Sequence, residues 1–376
     1  MSAKLRSRQG TPFPFAGPVP PDMLIDRDEE LTVLGRRAAD RVSVRLVAPR
    51  RFGKTSVVGA HAQRLRETGW RTAHVDLSRV ADLTDVARRV AAAYAHLDSP
   101  WVRSHLSSLL GRIGVTLSPS GPAVAIGPRP PRTETETAES VLLTLLDLPK
   151  ALWDRDQTPT LVVLDEFQDL LVARKDLDGL LRSRIQYHQD AAAYVFAGSE
   201  PSMMRELFDT RERPLFGQAM PLTLGPLPAD EVVAELADRF AAEGLDPGAA
   251  LGQLVAFAEG HPQRTMWLAY LLAEELAAGA APTPALAEEI VTRAVALTEP
   301  SHEALWQALN PTERAVLAAV ADGIAPTSPA LAAEHNVART TLGAAAGRLV
   351  DQGHLFRRPR ASRLVDPLLA VWLRRR

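Results

Sequence analysis

The feature that most constrains this chain is a nine-residue segment, APRRFGKTS, at 48–56. It matches the phosphate-binding pattern Gly-x-x-x-x-Gly-Lys-Ser/Thr at every position except the first, where Ala48 replaces glycine. A β-branched run at 42–47 precedes it and an apolar helical pattern at 56–68 follows it. The local structure is therefore predicted to be strand, loop and helix, in which the loop N–H groups and the helix N-terminus surround phosphate oxygens.

The residues of this loop predict a nucleotide site. Gly53 allows the backbone to approach a phosphate, Lys54 supplies a positive point charge, and Thr55 ligates magnesium. Of the 43 Lys and Arg residues only four are lysine, so a lysine at this position is a notable choice. A chance turn between strand and helix is the alternative. The predicted nucleotide-binding set in the loop is Pro49, Arg50, Arg51, Phe52, Gly53, Lys54, Thr55 and Ser56.

A second motif, LVVLDEFQDL at 161–170, places two carboxylates after an apolar run. The run predicts a buried strand, and parallel sheets bind ligands at the carboxyl ends of their strands. Asp165 is predicted to hold magnesium through water, and Glu166 to orient or deprotonate the attacking water. Alone, such a pair can also be a helix cap or a solvated turn. Together with the phosphate loop it favours a hydrolytic site that uses ATP and Mg²⁺.

Two further groups of polar residues are candidates for the same chemistry. Ser199 follows the apolar run at 194–197. It either positions the attacking water or senses the γ-phosphate, or it is an ordinary cap of a helix that contains Pro201 near its start. Arg211 and Arg213 lie close to Arg205 near a predicted helix end. They are either candidates for an arginine finger or a solvated surface cluster.

The order of apolar patterns predicts an α/β fold with a mostly parallel sheet, followed by helices only. The length of 376 residues is enough for two or three hydrophobic cores. Asn310, Pro311 and Glu313 form a helix start signal, which indicates a third domain from about 300. The predicted organisation is a flexible arm at 1–22, a core at 23–226 with a loop or hairpin insertion at about 112–132, a helical subdomain at 227–299 and a C-terminal domain at 300–376.

The C-terminal domain has a helix-turn-helix pattern. A helix at 329–335, a turn at Asn336 and a second helix from about 338 have the right spacing, and 355–365 is typical of a two-stranded wing. From 339 to 376 there are nine Arg and two Asp, a balance of +7 in a chain whose net charge is −2. The domain either contacts duplex DNA or serves as a protein-docking or lid element. The DNA candidates are Arg339, Thr340 and Thr341 for a groove, and Arg357, Arg358, Arg360 and Arg363 for phosphates.

Composition excludes several other classes of protein. The chain has no cysteine, so it has no disulfide, thiolate nucleophile or cysteine-ligated metal. Its histidines form no HExxH pair, and no GxSxG motif occurs. No apolar core of signal-peptide length and no stretch of about eighteen apolar residues is present, so we expect a cytoplasmic protein without a membrane segment.

These motifs, in this order, resemble the P-loop ATPases of the AAA+/STAND group, particularly the archaeal-type ATPase families that are also found in bacteria. MLIDRDEEL is similar to their nucleotide-base motif, APRRFGKTS to Walker A and LVVLDEFQDL to Walker B. AGSEPSMM is similar to sensor 1, EGHPQRTMW to the sensor 2 helix, and LVDPLLAVWLR to the end of their winged helix. The resemblance covers roughly 23–376.

The resemblance implies a three-layer P-loop NTPase core, a helical lid and a C-terminal winged helix, with ATP and Mg²⁺ at their junction. Arg27 would lie near the adenine, and His261, Pro262 and Arg264 would close over the nucleotide. Pro262 can also simply start a helix, and Arg264 can pair with a surface acid.

Three functions are consistent with the residues and the resemblance. The leading one is an ATP-hydrolysing molecular switch that couples ATP or ADP to a DNA- or protein-binding domain. The second is a DNA-binding regulator or initiator whose affinity is set by ATP. The third is a nucleotide-bound scaffold with negligible turnover, acting through a protein partner or through self-association.

Overall fold

The computed structural model describes residues 11–97, 99–111, 113, 115–118, 121–124, 134–357 and 362–376, which form two compact units. The first, the helical unit, contains residues 11–26, the loop 49–53 and residues 225–376. The second, the α/β unit, contains the described residues of 27–48 and 54–224. Residues 49–53 therefore belong to the helical unit, although they connect Val44–Val47 to Lys54–Glu67, a strand and a helix of the α/β unit.

The α/β unit is built on a five-stranded sheet in which every neighbouring pair of strands is parallel. Its sheet order is β2-β5-β6-β1-β7, which confirms the predicted parallel sheet. β3 and β4 form a separate antiparallel hairpin within the 112–132 segment, and 125–132 lie outside the described residues. The strands are β1 Val44–Val47, β2 Arg71–Asp76, β3 Val115–Ser118, β4 Gly121–Val124, β5 Thr160–Asp165, β6 Ala192–Gly198 and β7 Met220–Thr223.

Helices of the α/β unit pack against this sheet through apolar faces. Every residue of β5 and β6 is buried, as expected for the centre of a parallel sheet. Just beyond β5, Phe167 packs its ring 4.8 Å from that of Phe196 on β6, and this contact fixes the turn that carries the acidic pair. The helices are α1 Asp28–Ala39, α2 Lys54–Glu67, α3 Leu83–Ala95, α4 Pro100–Gly111, α5 Glu134–Leu146, α6 Leu148–Asp156, α7 Leu170–Ala173, α8 Leu177–Ile185 and α9 Pro201–Asp209.

The helical unit contains the helices from residue 229 onward and one short antiparallel ribbon. β8 pairs with β9, with Leu355 opposite Leu364. Asn310 and Glu313 form a capping box at the start of α14, in agreement with the helix start signal in the sequence. The elements are α10 Ala229–Ala242, α11 Gly248–Ala258, α12 Pro262–Ala277, α13 Pro284–Ala308, α14 Pro311–Ala321, α15 Pro329–Glu334, α16 Arg339–Asp351, β8 Leu355–Arg357, β9 Ser362–Leu364 and α17 Pro367–Arg375.

The predicted boundary between a helical subdomain and a C-terminal domain at 299/300 falls inside α13, a helix of 25 residues. Pro300 removes a backbone donor and therefore looks like a helix break in the sequence. The helix continues because it buries residues on both sides of the proline, such as Val295 and His302. A single hydrophobic core also extends from α10 to α17. The described residues from 229 onward thus share one core, and the predicted boundary at 299/300 does not coincide with a helix end.

The N-terminal segment also belongs to the core of the helical unit. Phe13 is 1% exposed, and its ring centroid lies 4.5 Å from that of Phe240. The Arg239 guanidinium donates hydrogen bonds to the carbonyl oxygens of Pro12 and Met23, at 3.2 and 2.8 Å. The expectation of a flexible arm at 1–22 did not anticipate this packing of Phe13. The apolar phenylalanine that the proline-rich segment carries is the reason for it.

Candidate functional site

The parallel sheet brings the predicted polar residues to one edge of the α/β unit. β5 pairs with β6, and β6 pairs with β1, so the carboxyl ends of these three strands are neighbours. Asp165 is the last residue of β5, and Ser199 follows β6 directly. Lys54 is the first residue of α2, which contacts β5. Residues far apart in sequence are therefore close in space, as the motif interpretation required.

A single cation lies between the two carboxylates at this edge. The Nζ of Lys54 is 2.7 Å from Oε1 of Glu166 and 3.4 Å from Oδ1 of Asp165. The hydroxyl of Thr55 donates a hydrogen bond of 3.1 Å to Oδ2 of Asp165. Only 8% of the Lys54 side chain is exposed, so these charges interact in a medium less polar than water.

Glu166 is fixed both by its backbone conformation and by hydrogen bonds to its side chain. Its backbone has φ of 48°, a left-handed conformation that costs a non-glycine residue about 1 kcal/mol or more. Its second oxygen, Oε2, accepts hydrogen bonds of 2.7 Å from the Ser199 hydroxyl and from the Gln168 amide. The carboxylate is therefore oriented by donors on both of its oxygens.

The environment keeps both carboxylates ionised. Burial by itself raises the pKa of Asp165, but the hydrogen bond from His74 and the charge of Lys54 lower it to about 2. Burial likewise opposes ionisation of Glu166, and Lys54, Gln168 and Ser199 together bring its pKa below the usual value. An ionised glutamate beside a cation has the charge state that a general base needs at neutral pH.

Sequence reasoning missed two residues of this cluster. His74 lies on β2, with its Nε2 atom 3.5 Å from Oδ2 of Asp165. Gln168 follows the acidic pair by two positions and lies in a 3-10 turn, Phe167–Asp169. Gln168 could have been identified from the sequence, because it lies inside the LVVLDEFQDL motif. No sequence pattern indicated His74, because its place beside Asp165 depends on the pairing of β2 with β5.

The loop 49–53 has the backbone of a tight turn in the helical unit. Gly53 has φ of 81° and Arg51 has φ of 68°, and the N–H of Phe52 donates to the carbonyl of Pro49 at 3.3 Å. The side chains of Arg50 and Arg51 are exposed. Glycine adopts a positive φ without the steric penalty of a β-carbon, which explains the choice of residue at position 53.

The Phe52 side chain packs inside the helical unit. It is 1% exposed, with its ring centroid 5.0 Å from that of His261 and 5.3 Å from that of Phe356 on β8. His261 precedes α12, and Phe356 lies in the two-stranded ribbon. Of the residues predicted to bind nucleotide, Phe52 thus has its side chain committed to protein packing, and only its backbone is available to a ligand.

The residues that the resemblance placed in a lid make structural contacts. His261 caps α12 by accepting a hydrogen bond of 3.3 Å from the N–H of Arg264, and burial lowers its pKa to about 4. Pro262 is the first residue of that helix. The Arg264 guanidinium binds both oxygens of Asp366, with Nε 3.0 Å from Oδ1. His302 lies 3.5 Å from the same carboxylate. Arg264 therefore pairs with an acid, as the alternative interpretation had it, although this acid is largely buried.

Two of the three remaining arginine candidates of the α/β unit form ion pairs within the chain. Arg27 is 3% exposed, directly precedes α1 and forms an ion pair of 2.8 Å with Glu30. Arg213 is 3.5 Å from Asp178 and also pairs with Glu206. Arg211 is exposed. Only Arg211, of the two finger candidates, has no ion pair among the described residues.

The predicted DNA contacts are partly accessible. Arg339, Thr340 and Thr341 are exposed at the start of α16, and Arg339 donates a hydrogen bond of 2.9 Å to the carbonyl of Thr327. Arg363 pairs with Glu259. Arg358 and Arg360 lie outside the described residues, and Arg357 is described only as part of β8.

Two negative findings concern the described part of the chain. Within it, His, Asp and Glu side chains form no group of three or more that could by itself hold a metal ion. No helix there has both the length and the apolar character needed to cross a membrane.

Comparison with solved structures decides the fold. The Walker-type ATPase of Pyrococcus abyssi matches with a TM-score of 0.69 over 97% of this chain and 100% of its own, at 19% identity. The chain has the AAA+ P-loop fold. The ORC2 protein of Aeropyrum pernix, solved in ADPNP–ADP complexes, matches the same AAA+ fold with a TM-score of 0.60 over 97% of each chain, at 15% identity.

The sequence itself has no such match, since no protein-family model and no curated protein matches the chain. At the identities of the structural matches, the likeness establishes the AAA+ fold alone. The predicted fold class, a P-loop core with a parallel sheet followed by a helical C-terminal region, is confirmed.

Proposed function

We propose that this chain binds ATP with Mg²⁺ and hydrolyses it. The observation that carries the proposal is the position of Lys54 between Asp165 and Glu166, directly after a loop with the phosphate-binding pattern. In an AAA+ fold, the backbone N–H groups of residues 49–53 and the start of α2 would face the phosphates, and Lys54 would bind a terminal phosphate. The ADPNP and ADP complexes of the ORC2 protein support a nucleotide ligand.

The residues at the edge of the sheet fit a magnesium ion. Thr55 and Asp165 present a hydroxyl and a carboxylate oxygen 3.1 Å apart, and both are the hard oxygen donors that Mg²⁺ prefers. Magnesium usually takes few protein ligands and completes its shell with phosphate oxygens and water. A site without a third protein carboxylate is therefore suited to an ion that arrives with the nucleotide. The ion would neutralise charge on the transferred phosphoryl group.

Glu166 is the proposed general base. Its lowered pKa keeps it ionised, and Ser199 and Gln168 orient it. When Lys54 pairs with a phosphate, Oε1 of Glu166 is released to accept a proton from water or to orient that water. Ser199, next to the base, is placed to position the same water.

A direct test compares ATP binding and hydrolysis in the wild type and three variants. Lys54→Met should lose binding, whereas Glu166→Gln should retain binding and lose turnover, because the amide cannot act as a base. Glu67→Gln, an exposed change on α2, is the matched control and should behave as the wild type. A wild type that binds no ATP with magnesium would refute the proposal. Binding without turnover would favour the nucleotide-bound scaffold.

We further propose that nucleotide state is passed to residues 311–376 as a molecular switch, with these residues acting as a winged helix. Support comes from the Phe52 side chain, which joins the phosphate loop to His261 and to Phe356 in the ribbon β8–β9. Because Phe52 is fully packed, a change in the conformation of the loop must move or break these ring contacts.

Amide hydrogen exchange of residues 354–357 tests the switch. ATP with magnesium should change their exchange rate in the wild type, and Phe52→Leu should reduce that change by weakening the ring contacts. Phe13→Leu removes a different buried ring of the same unit and should leave the change intact. Equal responses in all three proteins would contradict the coupling while leaving the ATPase proposal in place.

A second candidate is ATP-regulated binding of duplex DNA, favoured by the exposed Arg339, Thr340 and Thr341 at the start of α16. Binding should weaken steeply with salt, because phosphate contacts release counterions. Arg339→Ala should lower the affinity, and Arg37→Ala, a change on α1, should not. If no DNA binds at low salt, a protein partner or self-association becomes the favoured output.

A further inference from the structure

We propose that Gln168 is a positioning residue that fixes the Glu166 carboxylate, and this proposal rests on the ATPase function above. Gln168 is 2% exposed and lies in the turn that follows β5. Its Nε2 atom is 2.7 Å from Oε2 of Glu166 and 3.4 Å from Oδ1 of Asp169. Its amide therefore donates to two carboxylates at the centre of the site.

The orientation of the amide is dictated by its neighbours. A flipped amide would place its oxygen against the Glu166 carboxylate, which offers acceptors only, so the nitrogen must face Glu166. The oxygen Oε1 then points the other way, and it is buried without a hydrogen-bond partner among the described residues. A buried amide oxygen without a partner costs about 1–3 kcal/mol. The cost is offset because the amide nitrogen of Gln168 donates to the ionised Glu166 carboxylate. Hydrogen bonds to charged groups are stronger than those between neutral groups.

Gly198 provides the space for this orientation. A β-carbon at position 198 would lie 2.8 Å from Oε1 of Gln168 and 2.5 Å from the sulfur of Met204. Gly198 is the last residue of β6, and its φ is not positive, so backbone freedom does not explain the glycine. The close approach of the Met204 and Gln168 side chains does.

The two donors on Oε2 have different properties. The Ser199 hydroxyl can rotate and can also accept, whereas the Gln168 amide is a fixed donor. If Lys54 turns to a phosphate, Oε2 stays bound to Gln168, and Oε1 is left to receive the proton. Gln168 thus decides which oxygen of Glu166 is available to the attacking water.

The first test follows the side-chain amide of Gln168 by NMR in protein labelled with ¹⁵N at glutamine, with its signals assigned through Gln168→Leu. Glu166→Gln removes the charged acceptor, so the amide signals of Gln168 should shift if the nitrogen donates to Oε2 of Glu166. Thr160→Val, which removes a buried hydroxyl without a hydrogen-bond partner among the described residues, is the control and should leave these signals in place.

The second test measures turnover. Gln168→Leu should lower kcat by roughly tenfold or more while the Kd for ATP changes little, because the residue acts on the base and not on the nucleotide. Thr160→Val should change neither. Gln168 amide signals that are the same in wild type and Glu166→Gln, or a Gln168→Leu variant with the kcat of the wild type, would overturn the inference. The NMR comparison needs no turnover, so an inactive wild type would refute the proposed function and not this inference.

Discussion

Two buried ion pairs of the described residues, one in each unit, differ in how the cation is shared. In the α/β unit, Lys54 lies between Asp165 and Glu166. In the helical unit, Arg264 binds both oxygens of Asp366. The first has one cation for two carboxylates, and the second has one cation for one carboxylate, supported by His302.

Because of this difference, we expect the cation of the first site to change partners and the ion pair of the second site to be permanent. Lysine is a compact charge on a flexible stem, and it can leave one partner for another. Arginine presents a planar fork that matches a carboxylate with two parallel bonds. Lys54 follows a tight loop, whereas Arg264 lies on α12 and Asp366 caps α17. The same kind of ion pair is therefore expected to serve ligand binding in one unit and stability in the other.

The largest expected effect on stability comes from Arg264→Met. The substitution leaves Asp366 buried without its partner, and breaking a buried pair in this way costs about 3–5 kcal/mol. Urea unfolding should show a clear loss of stability, whereas nucleotide affinity in the folded variant should fall much less. A large loss of ATP affinity with unchanged stability would instead make Arg264 the nucleotide sensor that the resemblance implied.

The matched control for that experiment is the double variant Arg264→Met, Asp366→Leu. Removal of both charges leaves no unpaired ion, and such replacements are often close to neutral. The double variant should therefore be more stable than Arg264→Met alone. Equal stability of the two would show that lost packing, and not the unpaired charge, dominates.

Lys54→Met tests the other half of the comparison. Loss of this charge should lower turnover by a hundredfold or more, on the order of what one transition-state donor contributes. Stability should fall less than in Arg264→Met, because Asp165 keeps the Thr55 hydroxyl and Glu166 keeps the Gln168 and Ser199 donors. ATPase rates and urea midpoints for the two variants, measured side by side, give the contrast. If Lys54→Met is the less stable of the two, the distinction between the sites is wrong.

A pH titration of stability sharpens the comparison through one histidine in each unit. Burial lowers the pKa of His61 and of His261 from 6.5 to about 4. Between these values the unfolded chain binds more protons than the folded one, so stability is full above pH 6.5 and falls as the pH drops toward 4. Each histidine should contribute about 1–2 kcal/mol between pH 7 and pH 5.

Urea unfolding at both pH values checks this expectation. His61→Leu and His261→Asn should each reduce the difference between pH 7 and pH 5. The second variant also keeps a side chain able to cap α12. A pH difference that both variants leave unchanged would assign the acid sensitivity to other groups.

The smallest expected effect concerns the start of α14. Asn310→Ala removes the side chain that accepts from the N–H of Glu313 and should cost about 1 kcal/mol. Thermal unfolding measures it, with Glu299→Ala, an exposed position inside α13, as the comparison. Asn310→Ala should leave ATP hydrolysis unaltered.

Much of the α/β unit could be predicted from the sequence. The loop at 48–56 and the acidic pair at 165 and 166 are local patterns. Each predicts by itself where a strand ends and which kind of ligand to expect. The parallel order of the strands follows from their alternation with helices, and the sheet confirms it. Helix starts with side-chain caps, such as that at Asn310, are equally local.

The sequence by itself thus determined the fold class and the residue types at the phosphate loop, because hydrophobic period, turn residues and caps act over a few positions. Only the tertiary structure decided that Gln168 and His74 join the acidic pair, that Arg264 binds Asp366, and that helix α13 runs through Pro300. These outcomes depend on contacts between residues distant in sequence and on the burial of both sides of an element. A local pattern contains neither.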